Sequence, residues 1–249
     1  MFDKRITGVI SQNSLDYVEK IFSCYGNNEI VVLLRNIDDV RIKMVGASNV
    51  IQPEFVSGWF SSKYTFRDDD TLAQIAFTSG TEGEPKGVLL THRTLSDVIK
   101  RLNEVMEVDS SIKEYVGVPA NFSFGFGRFR AISAIGGSAF LPKNGFDPVE
   151  IQKMLSKNEI NAISAVPSLW RVLLRKKTIF GNEANYLKWI EIGSQYMSRS
   201  EKEELKSLFP NAKIAQHYGL TEASRTTFLR IDQTEGELLE SVGKAYGDT

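Results

Sequence analysis

The chain has 249 residues, 42% of them hydrophobic, enough to bury a sizeable core in one large α/β domain or two modest ones. Thirty basic against 31 acidic residues leave a formal charge of −1, so no net field draws the protein to nucleic acid or an anionic membrane, and a small ligand is expected instead. The single cysteine, Cys24, excludes an intramolecular disulfide and a cysteine metal cluster, and no run reaches the roughly 18 apolar residues of a membrane span or the apolar stretch of a signal peptide, so the cytoplasm is the expected address.

In chain order, Ile6 to Ser11 predicts a short buried strand, and Ser14 opens a helix whose Leu15, Val18 and Phe22 share a face. Asn27-Asn28 closes that helix, and 30–34 predicts the next strand. The pattern weakens between Asp38 and Asp70, with a strand expected over 41–45 and a seam near the charged Arg67-Asp68-Asp69-Asp70 stretch. That seam divides a compact first α/β unit, 1–70, from a larger one, 71–249. Beyond it, apolar strands at 72–77, 115–118, 139–141, 162–166, 189–192 and 214–215 alternate with helical patterns. Helix starts are explicit at Asp147-Pro148 and in the capping box Ser198-Arg199-Ser200-Glu201. Alternation of this kind implies an α/β fold with mainly parallel sheets flanked by helices. Ligands of such sheets gather beyond the carboxyl ends of the strands, which directs attention to the loops after Phe77, Val118, Ile192 and Ala215.

The first of these loops is Phe77-Thr78-Ser79-Gly80-Thr81-Glu82-Gly83-Glu84-Pro85-Lys86-Gly87-Val88. Its glycines let the backbone turn and expose N–H groups, the hydroxyls of Thr78, Ser79 and Thr81 add short donors, and Lys86 supplies a cation, a composition able to wrap a polyphosphate. A Gly-rich surface turn would explain the glycines alone but not the whole string. The loop is not that of the P-loop NTPases, because Lys86 is followed by Gly87 and Val88 rather than Ser or Thr.

At these residues the chain resembles the adenylate-forming superfamily of acyl-CoA synthetases, luciferases and carrier-loading adenylation domains. Glu82 departs from the hydroxyl residue usual there, and Glu84 adds a second carboxylate. Gln216-His217-Tyr218-Gly219-Leu220-Thr221-Glu222 resembles the Tyr-Gly-x-Thr-Glu signature of the same superfamily. The resemblance implies a ring at Tyr218 stacking on adenine, close approach at Gly219, a hydroxyl at Thr221 for the α-phosphate and a magnesium-holding carboxylate at Glu222. It further implies that Gly193, Ser194 and Gln195 line the adenine and acyl sites, that His217 borders the nucleotide, and that Phe122 stands as an aromatic gate. Phe122, Phe124, Phe126 and Phe129 could equally be core. His92 is expected to cap or pack near the phosphate loop. No acidic residue lies between Val118 and Ser138 to hold an ammonium group, which favours an ordinary carboxylic acid over an amino acid.

The function so implied is ATP-dependent activation of a small carboxylic acid to its acyl-adenylate, with ATP/AMP and Mg2+ bound and with coenzyme A or a carrier protein as acceptor. Thr221, Glu222 and Lys86 would carry the chemistry. The superfamily's ribose aspartate, hinge and lysine-bearing C-terminal domain lie downstream of the Tyr-Gly-x-Thr-Glu motif, and Asp248 follows that motif too closely to replace the aspartate. The expectation is therefore a truncated N-terminal core, weakly active or inactive alone, with a catalytically silent nucleotide-binding protein as the alternative from another class.

Overall fold

Alternating side chains let β1 (Ile6–Ile10) and β2 (Ile30–Leu34) serve two layers at once. Ile6, Ile10, Ile30, Val32 and Leu34 pack together on one face with Ile75, while Val9 and Val31 join the central core on the other. The computed structural model describes residues 4–78 and 86–247. The connecting helix α1 (Leu15–Gly26) starts where the Ser14 hydroxyl accepts from Asp16 N at 3.2 Å and ends at Asn27, with Asn28 at φ 60°.

The strand expected over 41–45 is instead a short helix, α2 (Arg41–Val45), closed by Gly46 at φ +68°. The Asp39 carboxylate decides the matter locally: it accepts from the backbone N–H of Arg35 at 2.7 Å and of Arg41 at 3.1 Å, which holds the turn that begins the helix. The strand comes later, as β3 (Asn49–Ile51). β5 (Leu72–Thr78) and β6 (Lys86–Thr91) complete a five-stranded sheet of order β3-β1-β2-β5-β6, parallel except for the antiparallel β5–β6 pair.

The second sheet has eight strands. Its parallel centre is β7 (Lys113–Val116), β8 (Ser138–Leu141), β9 (Ala162–Ala165), β10 (Trp189–Ile192) and β11 (Lys213–Tyr218). β4 (Gly58–Phe60) pairs antiparallel with β8 at one edge, and β12 (Thr227–Arg230) and β13 (Lys244–Ala245) add antiparallel strands beyond β11. β5, which follows residue 70, pairs onto β2 and carries β6 at its outer edge, and β4, which precedes residue 70, borders the second sheet.

Between the sheets lie α1, α3 (His92–Met106) and α4 (Ser123–Ile135), whose Val18, Leu102 and Phe129 share one core with Val31 of the first sheet and Ala139 and Ala215 of the second. On the far face of the second sheet, α5 (Pro148–Ser156), α6 (Pro167–Arg175) and α7 (Arg199–Leu208) bury Leu155, Trp170 and Leu205 over Ile163, Ile190 and Ile214. Each such large side chain contributes roughly 1.5–3 kcal/mol by leaving water. The expected caps form at both predicted helix starts: Asp147 accepts from Val149 N at 2.9 Å, and Ser198 and Glu201 make a complete capping box. Among the described residues no helix is long and apolar enough to cross a membrane.

Candidate functional site

Beyond the carboxyl ends of β10 and β11 a cavity of about 580 Å³ opens. Ser194, Gln195 and Tyr196 line it after β10, His217 to Thr221 line it at the end of β11, and Glu240, Ser241 and Val242 close one side. A second cavity, of about 660 Å³, runs between the sheets from Ala76 and Phe77 of β5 past α3 and α4 to Thr221 and Glu222. The two share Ser123, Leu220, Thr221 and Ser224, so the segment after β11 is a common wall between them.

Close approach of backbone builds that wall. A Cβ on Gly193 would stand 2.1 Å from His217 Cε1, and one on Gly219 would stand 2.3 Å from Arg225 N, so neither position admits a side chain without displacing the segment. Leu220 and Ala223 exchange backbone hydrogen bonds of 3.0 and 3.2 Å, which makes 220–223 a tight turn and carries Thr221 and Glu222 outward. Tyr218 is half exposed on the wall, with Gln216 buried beside it and its Oε1 lacking any hydrogen-bond partner.

Of the phosphate-loop residues, Ser79, Gly80, Thr81 and Gly83 lie outside the described residues, as does Asp248. The loop's two ends are described. Thr78 lines a third cavity of about 220 Å³ together with Arg35, Arg41 and Asn121, and pairs in antiparallel register with the exposed Lys86. Phe122 is exposed at the mouth of the inter-sheet cavity, whereas Phe124, Phe126 and Phe129 are buried. His92 is buried at the start of α3 with its ring edge-on to Tyr25 at 5.7 Å, which makes it a packing residue.

Behind His217 sits a set of buried charges. Arg128 of α4, fully buried, bonds Glu114 of β7 through Nε at 2.8 Å and approaches Glu191 of β10 through Nη1 at 2.8 Å. Arg225 donates from Nε to Glu191 Oε1 at 3.0 Å, and the same oxygen is 2.7 Å from His217 Nδ1. Burial alone would raise the Glu191 carboxyl, but Arg225, Arg128 and His217 together outweigh it and hold the group well below the carboxylate range. Burial, reinforced by Arg225, lowers the His217 pKa, so the imidazole is neutral at neutral pH, and its proximity to Glu191 favours the proton on Nδ1.

Residues 8–249 match the family of AMP-binding enzymes over nearly the whole chain. The chain belongs to that family. Among curated relatives, it is 27% identical over 220 residues to 4-coumarate--CoA ligase-like 6 of Arabidopsis thaliana, a match covering 85% of this chain and 38% of the relative. It is 28% identical over 187 residues to acyl-CoA synthetase 7 of Caenorhabditis elegans, covering 70% and 34%, and 29% identical over 177 residues to gramicidin S synthase 2 of Brevibacillus brevis, covering 67% and 4%. The match thus spans about a third of the first two of these relatives and a far smaller share of the third. The fold agrees with solved structures: o-succinylbenzoate coenzyme A synthetase of Bacillus subtilis in complex with ATP and magnesium superposes at a TM-score of 0.76 with 18% identity, over 97% of this chain and 55% of that one. VinN superposes at 0.74 with 17% identity, over 97% and 68%.

The buried charges, and Arg101 and Lys202 with them, were not read from the sequence. Arg101 donates to the backbone oxygens of Arg225 at 3.0 Å and Tyr246 at 3.3 Å, and Lys202 donates to that of Leu239. A signal existed in the form of charged residues inside apolar elements, Glu191 in Trp-Ile-Glu-Ile and Arg128 in Phe-Gly-Arg-Phe-Arg.

Proposed function

We propose that this chain binds ATP across the shared wall and activates a carboxylic acid as its acyl-adenylate, with coenzyme A or a carrier protein as the later acceptor. The observation that carries the reading is the position of Thr221, which borders both the polar cavity beyond β10 and β11 and the inter-sheet cavity that begins at Phe77, next to the phosphate loop. In this reading the exposed Tyr218 ring stacks on adenine, Ser194, Gln195 and His217 border the base, Gly193 leaves room for the His217 ring, and the unpartnered Gln216 Oε1 is available to an exocyclic amine. Thr221 meets the α-phosphate. Thr78 and Lys86, with Ser79, Gly80, Thr81 and Gly83 between them, meet the departing pyrophosphate.

Among the described residues no cluster of three or more His, Cys, Asp or Glu side chains is arranged to hold a metal ion by itself. That fits magnesium, which is held by one or two carboxylates and completes its shell with phosphate oxygens and water. Glu222, exposed on the lip of the inter-sheet cavity, is the carboxylate suited to it, and the bound ion would neutralise charge on the phosphates. The protein's own share is orientation and exclusion of water, since attack by the acid's carboxylate on the α-phosphorus, with loss of pyrophosphate, needs no covalent enzyme intermediate.

Calorimetry with ATP and magnesium, followed by pyrophosphate exchange with a panel of acids, tests the reading. Tyr218→Ala is expected to weaken nucleotide binding about tenfold, as the loss of one stacking partner does. Absence of nucleotide binding at millimolar concentration would reject the reading, and binding without exchange would reduce this chain to a nucleotide-binding core.

A further inference from the structure

We infer that the inter-sheet cavity receives the body of the acid and that the acid carries a second anionic group, which Arg130 binds. The inference rests on the acyl-adenylate reading and deepens it by naming a substrate class.

The polar cavity offers the acid no deep extension through its inner wall. His217 stands there edge-on to Phe124 at 4.7 Å, and behind it Glu191, Arg128, Glu114 and Arg225 fill the layer between the second sheet and α4 with paired charges. Opening that layer would break several buried ion pairs. An acid whose carboxylate meets ATP at Thr221 therefore has the other cavity to enter, across the wall that both share.

That cavity is apolar along most of its length, with Leu33, Ala76, Phe77, Leu90, Val98 and Phe126 on its sides, and several arginines also border it. Arg41 is paired with Asp39 at 2.9 Å, Arg93 with Asp70 at 2.7 Å and Arg101 with Asp97 at 2.8 Å. Arg130 differs. It is 6% exposed, its guanidinium lies 5.0 Å from the centre of the Phe126 ring, no carboxylate pairs with it among the described residues, and its Nε has no hydrogen-bond partner.

The neighbouring phenols do not supply the missing charge, although the Tyr25 hydroxyl hydrogen-bonds the Arg130 guanidinium. Burial pushes the Tyr25 hydroxyl up to about 12, and Tyr17 is raised for the same reason, so both stay neutral. Arginine does not shed its proton under such conditions. A buried, unmatched cation on the wall of a ligand-sized cavity calls for an anion, and a carboxylate suits a guanidinium through parallel hydrogen bonds. A substrate of matching chemistry has an activated carboxylate at one end, an apolar body along the cavity and a second carboxylate or comparable anion at Arg130.

The test is calorimetry on the whole chain, with and without AMP, using the straight-chain dicarboxylates from succinate to sebacate, each against the monocarboxylate of the same length. The expected result is that the best dicarboxylate binds at least about tenfold more tightly than its monocarboxylate. Arg130→Met should abolish that preference and Arg130→Lys should retain part of it. Arg130→Met should also keep its thermal midpoint, because methionine removes an unmatched charge while filling similar space, whereas a structural role would lower it. Equal binding of both acid classes at every length, a preference that survives Arg130→Met, or no acid binding by a chain that binds AMP would each overturn the inference. Loss of AMP binding alone would count against the acyl-adenylate reading, and the titration without nucleotide would still decide the role of Arg130.

Discussion

Arg128 holds the inner wall of the site together, because it stands between two carboxylates that would otherwise repel across a dry layer. Arg128→Met leaves Glu114 and Glu191 buried with reduced compensation and is expected to cost about 3–5 kcal/mol, read as a lower urea midpoint at unchanged slope. Acid sensitivity follows from the same residues. Burial lowers both histidines from the ordinary 6.5, His217 also feeling Arg225 and Arg128 against Glu191, and His92 also feeling Arg67 and Lys4 against Asp69. The unfolded chain therefore binds more protons just below that value, so stability is full above about pH 6.5 and falls as pH drops. Glu191, lowered despite its burial, and Glu201, held at about 2 chiefly by Arg171, extend the decline from about pH 4.5 downward. Urea midpoints measured from about pH 8 to pH 4 should decrease in that order, and His217→Asn should flatten the first part of the decline; a midpoint that rises on acidification would contradict the assignment.

At the scale of elements, local signals worked where backbone chemistry is local. Ser14, Asp147 and Ser198 cap helices at the residues the sequence marks, because each satisfies an N–H of the first turn with its own side chain. The strand expected over 41–45 failed because apolar Ile42 and Val45 fit a helical turn as well as a strand, and Asp39 settled the choice. α7 does more than pack. Its Lys202, nearly fully buried, donates to Leu239 O and, at 3.4 Å, to Ser241 O, tying the turn at Gly236–Glu240 to the rim of the polar cavity. Lys202→Met leaves those carbonyls short of a donor and is expected to cost about 1–3 kcal/mol in thermal or urea unfolding. An unchanged midpoint would show that the turn is held by other contacts.

For the whole molecule, the nucleotide reading predicts linkage. AMP at about 100 times its dissociation constant should stabilise the chain by about 2.7 kcal/mol. For a chain of this length that is a rise of roughly 5–10 °C in the midpoint of a thermal scan. A midpoint indifferent to AMP would mean that the shared wall does not hold nucleotide.

The sequence by itself determined the α/β class, the family and many of the strand and helix positions, because periodicity, caps and motifs depend on neighbours along the chain. Tertiary structure alone decided which strands share a sheet, with β5 and β6 returning to the first sheet and β4 joining the second. It also decided the fate of the charged side chains on inward faces. Glu114, Glu191 and His217 lie on the face of the second sheet that α3 and α4 cover, and a charge within a strand signals a wet face until the layer above it is known. The same layer leaves Arg130 buried beside a cavity, a circumstance set by packing between elements remote in sequence.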